Sequence, residues 1–203
     1  MRVVIKLGTS TLAHSTGRLN IRRVEELCKV MSDLKNAGHE VILVSSGAIG
    51  MGVGKLSLSE RPKDIPTKQA AAAVGQCELM YTYDKLFEEY HHTVAQLLLT
   101  GSDFKNPERY ENFRNTMRRL LELQVLPIIN ENDSVSVAEL KFGDNDTLAG
   151  MLGAVLGAEL TVILTTEQGL RKRNEDGTLG ERISLVEKLT PEMIASAGDT
   201  DNN

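Results

Sequence analysis

The sequence predicts an α/β protein whose central sheet is mainly parallel and covered by helices on both faces. Two observations carry this. Short runs rich in β-branched and aliphatic residues alternate with stretches of helical periodicity along most of the 203 residues. The strand-like runs are also almost unbroken in their apolar character, as strands buried on both faces are.

In order, "RVVIKL" at 2–7 is a buried strand. Ile21, Val24, Leu27, Cys28, Met31 and Leu34 then recur at helical spacing, with Asn20 placed to cap the helix start and Gly38 just past its end. "EVILVS" at 40–45 is a second strand. A long helical stretch over about 67–90 leads to "TVAQLLL" at 93–99, and another over about 107–123 leads to "VLPIIN" at 125–130. A helix over about 146–156 precedes the fifth strand, "LTVILT" at 160–165. No internal repeat or low-complexity segment interrupts the pattern.

Composition bounds the chemistry. With 41% apolar and 25% charged residues the chain can bury a core. A formal charge of -5 offers no footprint for a polyanion, so nucleic acid is not an expected partner. Nothing approaches the length of a membrane span. The two cysteines, Cys28 and Cys77, each fall in an apolar helical pattern and are expected to be reduced core thiols, which fits a cytoplasmic location.

In open α/β sheets ligands bind at the carboxyl ends of the strands, and each expected end here is polar. Lys6-Leu7-Gly8-Thr9-Ser10 follows the first strand, Ser45-Ser46-Gly47-Ala48 the second and Thr100-Gly101 the third. Asn130 to Asp133 follows the fourth and Thr165-Thr166 the fifth. Lys6 stands out because it lies inside an apolar strand, where an unpaired ammonium is costly; it is expected to reach a charge. The dense "GDND" at 143–146 opens a helix, where acidic residues also suit the helix dipole. Two other nucleotide motifs fail: "GMGVGK" has Ile49 where a Walker A loop needs glycine and Leu56 where it needs Ser or Thr, and no dinucleotide glycine motif follows the first strand. His91 and His92 have no metal-ligand spacing around them.

The segments "VIKLGTSTL", "VILVSSGAIGMG", "KQAAAAVGQCELM", "QLLLT", "NFRNTMRRLLE", "VLPIINENDSVSVAELKFGDNDTLAG" and "ILTTEQGL", in this order, resemble the glutamate 5-kinase family of the amino acid kinase superfamily. The resemblance runs from residue 2 to about 198. It implies a three-layer αβα sandwich and ATP-dependent phosphorylation of the γ-carboxylate of L-glutamate, the first step of proline biosynthesis. A carboxylate is already ionised at neutral pH, so such a transfer calls for alignment and charge neutralisation, not a general base.

By this resemblance Lys6 contacts the transferring phosphate, with the backbone around Gly8, Thr9 and Ser10 beside it, and Asp146 orients the lysine. Ser46 and Asn145 supply donors to the substrate carboxylates, Gly47 lets the backbone approach closely, and Asp133 receives the α-ammonium. Thr165 and Thr166 stand at the nucleotide, where the family usually has Ser/Thr-Asp. Magnesium is expected to arrive on the ATP phosphates. Proline is the implied feedback inhibitor, a glutamyl phosphate reductase the implied consumer of the product, and a homo-oligomer the implied assembly. The expected organisation is one amino acid kinase domain over residues 1–203, without the family's glycine-rich nucleotide segment, its second lysine or its RNA-binding-like PUA domain. Two alternatives stand beside this: a non-catalytic glutamate- or proline-binding relative, and another kinase of the superfamily acting on N-acetylglutamate or carbamate.

Overall fold

The computed structural model describes residues 1–14, 18–135, 145–166, 169–174 and 178–196. The chain divides into a unit over Met1–Leu164 and a smaller one over Thr165–Asn203. The larger unit carries five strands: β1 (Arg2–Leu7), β2 (Glu40–Ser45), β3 (Val94–Leu99), β4 (Leu126–Glu131) and β5 (Leu160–Leu164). They form one sheet in the order β3-β4-β2-β1-β5, and every neighbouring pair is parallel.

Side-chain alternation along the strands divides the core in two. Val3, Ile5 and Leu7 of β1, with Leu43 of β2 and Ile128 of β4, face α2 (Ile21–Asn36) and α4 (Ile65–Glu88). Val4, Ile42, Val44 and Ile129 face the opposite side, against α6 (Pro107–Glu122) and α7 (Asn145–Val155). This is the αβα layering that the resemblance implies.

The helix starts follow from capping chemistry. The Asn20 side chain accepts from Arg23 N–H at 3.2 Å, and Asn106 accepts from Arg109 N–H at 3.0 Å ahead of α6. Asp64 accepts from Thr67 N–H at 2.9 Å, and Pro66 sits in the first turn of α4, so this helix begins and ends about two residues earlier than its periodicity predicts. Shorter elements escape the periodicity altogether: α1 (Thr9–Leu12), α3 (Ala48–Lys55) and α5 (Gly101–Lys105). In the smaller unit, β6 (Arg171–Arg173) pairs antiparallel with β7 (Leu179–Arg182), and α8 (Pro191–Ser196) follows.

Two expectations about individual side chains are corrected. Cys28 is buried, and burial, with Glu25 nearby, pushes its thiol up to about 12. Cys77 is exposed, because the face of α4 that meets the sheet carries Leu79, Tyr83 and Phe87. Ile21, the first apolar residue of the α2 pattern, is exposed, while Val24, Cys28 and Met31 are buried. One turn at a helix start lies outside the stripe that the rest of the helix buries.

Helices α3 and α4 pack closely through small residues. A Cβ on Gly52 would lie 1.8 Å from the carbonyl oxygen of Ala71, and one on Gly75 would lie 1.7 Å from that of Ala48. Only glycine allows this approach, which sets the position of the first turn of α3.

Candidate active site

A cleft of about 840 Å³ opens at the carboxyl ends of the parallel strands. Ser46 and Gly47 after β2, Asn130 and Glu131 at the end of β4, Asp133, and Asn145 at the start of α7 all line it. Gly47 adopts φ +103°, the left-handed region that favours glycine, and turns the chain from β2 straight into α3. No side chain caps α3, and its first backbone donor to find a helical acceptor is Met51, which bonds Gly47 O at 3.0 Å. The N–H groups of Ala48, Ile49 and Gly50 therefore have no acceptor within the helix, at the wall of the cleft.

Behind this wall runs a polar network. Asn145 Nδ2 donates to Ser46 Oγ at 2.8 Å, to Asn130 Oδ1 at 2.9 Å and to Ser45 O at 3.2 Å. Asn130 Nδ2 donates to Gln76 Oε1 at 2.9 Å, and Asn130 Oδ1 accepts from Glu131 N–H at 2.9 Å. Ser45 Oγ donates to Ser46 O at 3.2 Å and lies 2.8 Å from the Tyr83 hydroxyl, which is left to donate to it. Tyr83 is fully buried, and that burial raises its phenol above the usual range. Two residues of α4 thus brace the ends of β2 and β4.

The second cluster adjoins the first through the chain itself. Asp146 follows Asn145, and its Oδ1 lies 2.5 Å from Lys6 Nζ. Lys6 is 8% exposed on β1, flanked by β2 and β5, so it is no edge-strand lysine with a solvated head. Its ammonium lies over the turn after β1: a Cβ on Gly8 would be 3.1 Å from Nζ and 3.9 Å from Ser10 Oγ. Thr9, beside them, lines the cleft.

The structure thus brings Lys6, Asp146, Gly8 and Ser10 to one cluster and Ser46, Gly47, Asp133 and Asn145 to an adjoining cleft. Thr165 and Thr166 are exposed at the start of the smaller unit. Gly143 and Asp144 of "GDND" and most of the segment leading to it lie outside the described residues. Sequence reasoning assigned no role to Asn130, Glu131, Gln76 or Tyr83. Asn130 and Glu131 stood within the polar "NEND"; the sign for Gln76 is an amide in the buried stripe of α4. Among the described residues no group of three His, Cys, Asp or Glu gathers as a metal site, and no helix is long and apolar enough to cross a membrane.

The model of the amino acid kinase family matches residues 1–200. The chain belongs to that family. Its relatives include the glutamate 5-kinase of Moorella thermoacetica, 48% identical over 201 residues, a match covering 97% of this chain and 52% of that protein. The glutamate 5-kinase of Clostridium tetani is 49% identical over 200 residues, covering 97% of this chain and 74% of that protein. This family member thus spans about half the length of some curated relatives and about three quarters of others. Among solved structures, carbamate kinase from Giardia lamblia bound to AMP-PNP superposes with a TM-score of 0.60 at 16% identity, covering 85% of this chain and 73% of that one. At that identity the likeness is one of fold.

Proposed function

We propose that this chain transfers the γ-phosphoryl group of ATP to the γ-carboxylate of L-glutamate, giving ADP and L-glutamyl 5-phosphate. The observation that carries the reading is the pair Asn145–Asp146. One residue belongs to the wall of the cleft and the next holds the buried Lys6 ammonium, so a single turn of α7 joins an acceptor site to a cation for the transferring group. The names of relatives 48–49% identical support the substrate, and the AMP-PNP carried by the carbamate kinase supports the nucleotide.

The cleft suits an amino acid with two carboxylates. The first-turn N–H groups of α3, which have no acceptor within the helix, and the Ser46 hydroxyl bind a carboxylate, and Asn145 contributes through Ser46, to whose oxygen it donates. Asp133 and Glu131 supply negative charge in the same cleft for the α-ammonium. That feature favours free glutamate over N-acetylglutamate, whose amine is acylated and carries no charge.

A γ-carboxylate oxygen attacks the γ-phosphorus in line. The bond from that phosphorus to the bridging oxygen breaks, and ADP leaves with the electron pair. No proton needs to be removed from the nucleophile. Lys6 neutralises charge on the transferring oxygens, and Asp146 holds its ammonium in place. Gly8, Thr9 and Ser10 line the phosphate path, and magnesium travels on the ATP phosphates. The acyl phosphate is labile and requires a reductase as its consumer. Inhibition by proline, a homo-oligomeric assembly and a cytoplasmic location complete the reading.

Incubation with glutamate, ATP, magnesium and hydroxylamine tests it. Glutamyl hydroxamate forming in step with ADP supports acyl phosphate chemistry; ADP without hydroxamate refutes it. Greater turnover with N-acetylglutamate or carbamate would reassign the substrate.

A further inference from the structure

We infer that Gln76, on α4 behind the cleft, is a positioning residue: together with the Glu131 N–H and the Ser45 carbonyl it holds the orientation of the Asn130 and Asn145 amides and thereby leaves the Ser46 hydroxyl as a hydrogen donor to the substrate. The inference rests on the reading of the cleft as the glutamate site.

The two ends of a carboxamide have the same shape, so its orientation follows from neighbours that can play only one part. Two such neighbours bracket this network. The Glu131 N–H can only donate, and it lies 2.9 Å from Asn130 Oδ1. The Ser45 carbonyl can only accept, and it lies 3.2 Å from Asn145 Nδ2.

From the first, the Asn130 NH2 must face Gln76, and Gln76 must present its carbonyl, at 2.9 Å. From both, the Asn145 NH2 faces the Asn130 carbonyl, at 2.9 Å. That nitrogen shares its two hydrogens among three acceptors and cannot itself accept, and its shortest contact is Ser46 Oγ at 2.8 Å. The Ser46 oxygen is therefore an acceptor within the protein, and its hydrogen is left for a ligand in the cleft that Ser46 lines.

Gln76 is 8% exposed and lines not that cleft but an adjoining cavity of about 330 Å³, which shares Ala48, Glu131 and Asp133 with it. Its Nε2 is buried without a hydrogen-bond partner among the described residues, a cost that an apolar side chain would not carry. The carbonyl is the half of the side chain that the network uses. Without it the Asn130 NH2 loses its acceptor, only the Glu131 N–H and the Ser45 carbonyl still hold the two amides, and the amides turn more readily, so that Ser46 can spend its hydrogen on Asn145.

A double-mutant cycle tests the relay. Glutamate binding is measured by calorimetry on the full chain as wild type, Gln76→Met, Ser46→Ala and the double variant, with ATP binding as control. With Ser46 present, Gln76→Met should weaken glutamate about tenfold, in the range for a hydrogen bond to a charged group. With Ser46→Ala the same change should cost less than about twofold, because the hydroxyl that it orients is gone. ATP affinity should not move. Equal losses in both backgrounds, or no loss with Ser46 present, overturn the relay.

The side-chain amide resonances of ligand-free protein give a second readout. Those of Asn145, which makes no hydrogen bond to Gln76, should shift in Gln76→Met; unchanged Asn145 resonances also overturn the relay. A wild-type chain that binds no glutamate refutes the substrate reading, whereas these resonances, which need no ligand, still decide the relay.

Discussion

Lys6 Nζ lies 2.5 Å from Asp146 Oδ1, joining the interior strand β1 to the first turn of α7. The ammonium is almost wholly buried, while the carboxylate side chain is 38% exposed, so the pair presents its acid toward solvent and keeps its base in the fold. Removing one partner of a buried pair leaves the other uncompensated.

Lys6→Ala should abolish phosphoryl transfer, because it deletes the only cation placed in this cluster by the described residues. Asp146→Asn should keep a polar contact to Lys6 but lower kcat by about 10²- to 10³-fold, the usual cost of disturbing one preorganised group. Its KM for glutamate should stay within about threefold, since the transferring end and not the cleft is affected. Steady-state kinetics on both variants checks this. A glutamate KM that rises with kcat unchanged would place Asp146 in substrate binding instead.

Gly75→Ala should destabilise the protein and weaken glutamate together. The added methyl would meet the Ala48 carbonyl at 1.7 Å, so α3 must move, and with it the first-turn N–H groups at the cleft. Overpacking of this kind costs about 1–3 kcal/mol. Gly150→Ala on α7 is the control, because a Cβ there meets nothing within 4 Å, and it should be neutral or stabilising. Urea denaturation and glutamate titration of the two variants separate the outcomes. Full stability in Gly75→Ala would show that the two helices do not need their close approach.

The parallel sheet was legible because its strands are continuous apolar runs and the helices between them keep a clear period. Lys6 was legible for an energetic reason: an ammonium in such a run must have a partner, and Asp146 is that partner. The strand order β3-β4-β2-β1-β5 was not legible, since a crossover helix says little about the neighbour beside which the next strand lands. Helix α3 was hidden because three of its eight residues are glycine, and the reason for Gly52 is contact with α4, not local propensity. Gln76 was hidden for a similar cause. An amide in the buried stripe of α4 shows its purpose only when β4 brings Asn130 against it.

Asp133→Asn should weaken glutamate by several-fold to about a hundredfold and leave ATP almost unchanged. Asp133 lies at the cleft wall beside Glu131, and the substitution keeps the shape while removing the charge that meets an ammonium. A hydrogen bond to a charged group contributes about 1.5–3 kcal/mol, which sets the range. Glutamate and ATP KM values measured on one preparation decide it. An unchanged glutamate KM would move the ammonium site elsewhere.

Asp103 should give the fold a measurable acid dependence. It closes a capping box at the start of α5: its carboxylate accepts from Thr100 N–H at 2.7 Å and from the Thr100 hydroxyl at 2.8 Å, and Arg109 Nη1 lies 3.1 Å away. Partial burial raises its pKa, but the Thr100 hydrogen bonds and Arg109 outweigh this and hold the carboxyl below its ordinary value. A carboxyl depressed on folding adds stability that is present above its unfolded value, near 3.9, and is lost as pH falls through the lower folded value. Asp103→Ala should therefore cost about 1 kcal/mol at pH 7, the usual loss for a helix cap. The gap from wild type should hold steady down to about pH 5 and narrow below about pH 4, as the wild-type carboxylate is protonated. Urea denaturation of the two proteins across this range measures the gap directly. A gap that stays constant to the lowest pH, or widens, would show that the ionised carboxylate is not what stabilises this turn.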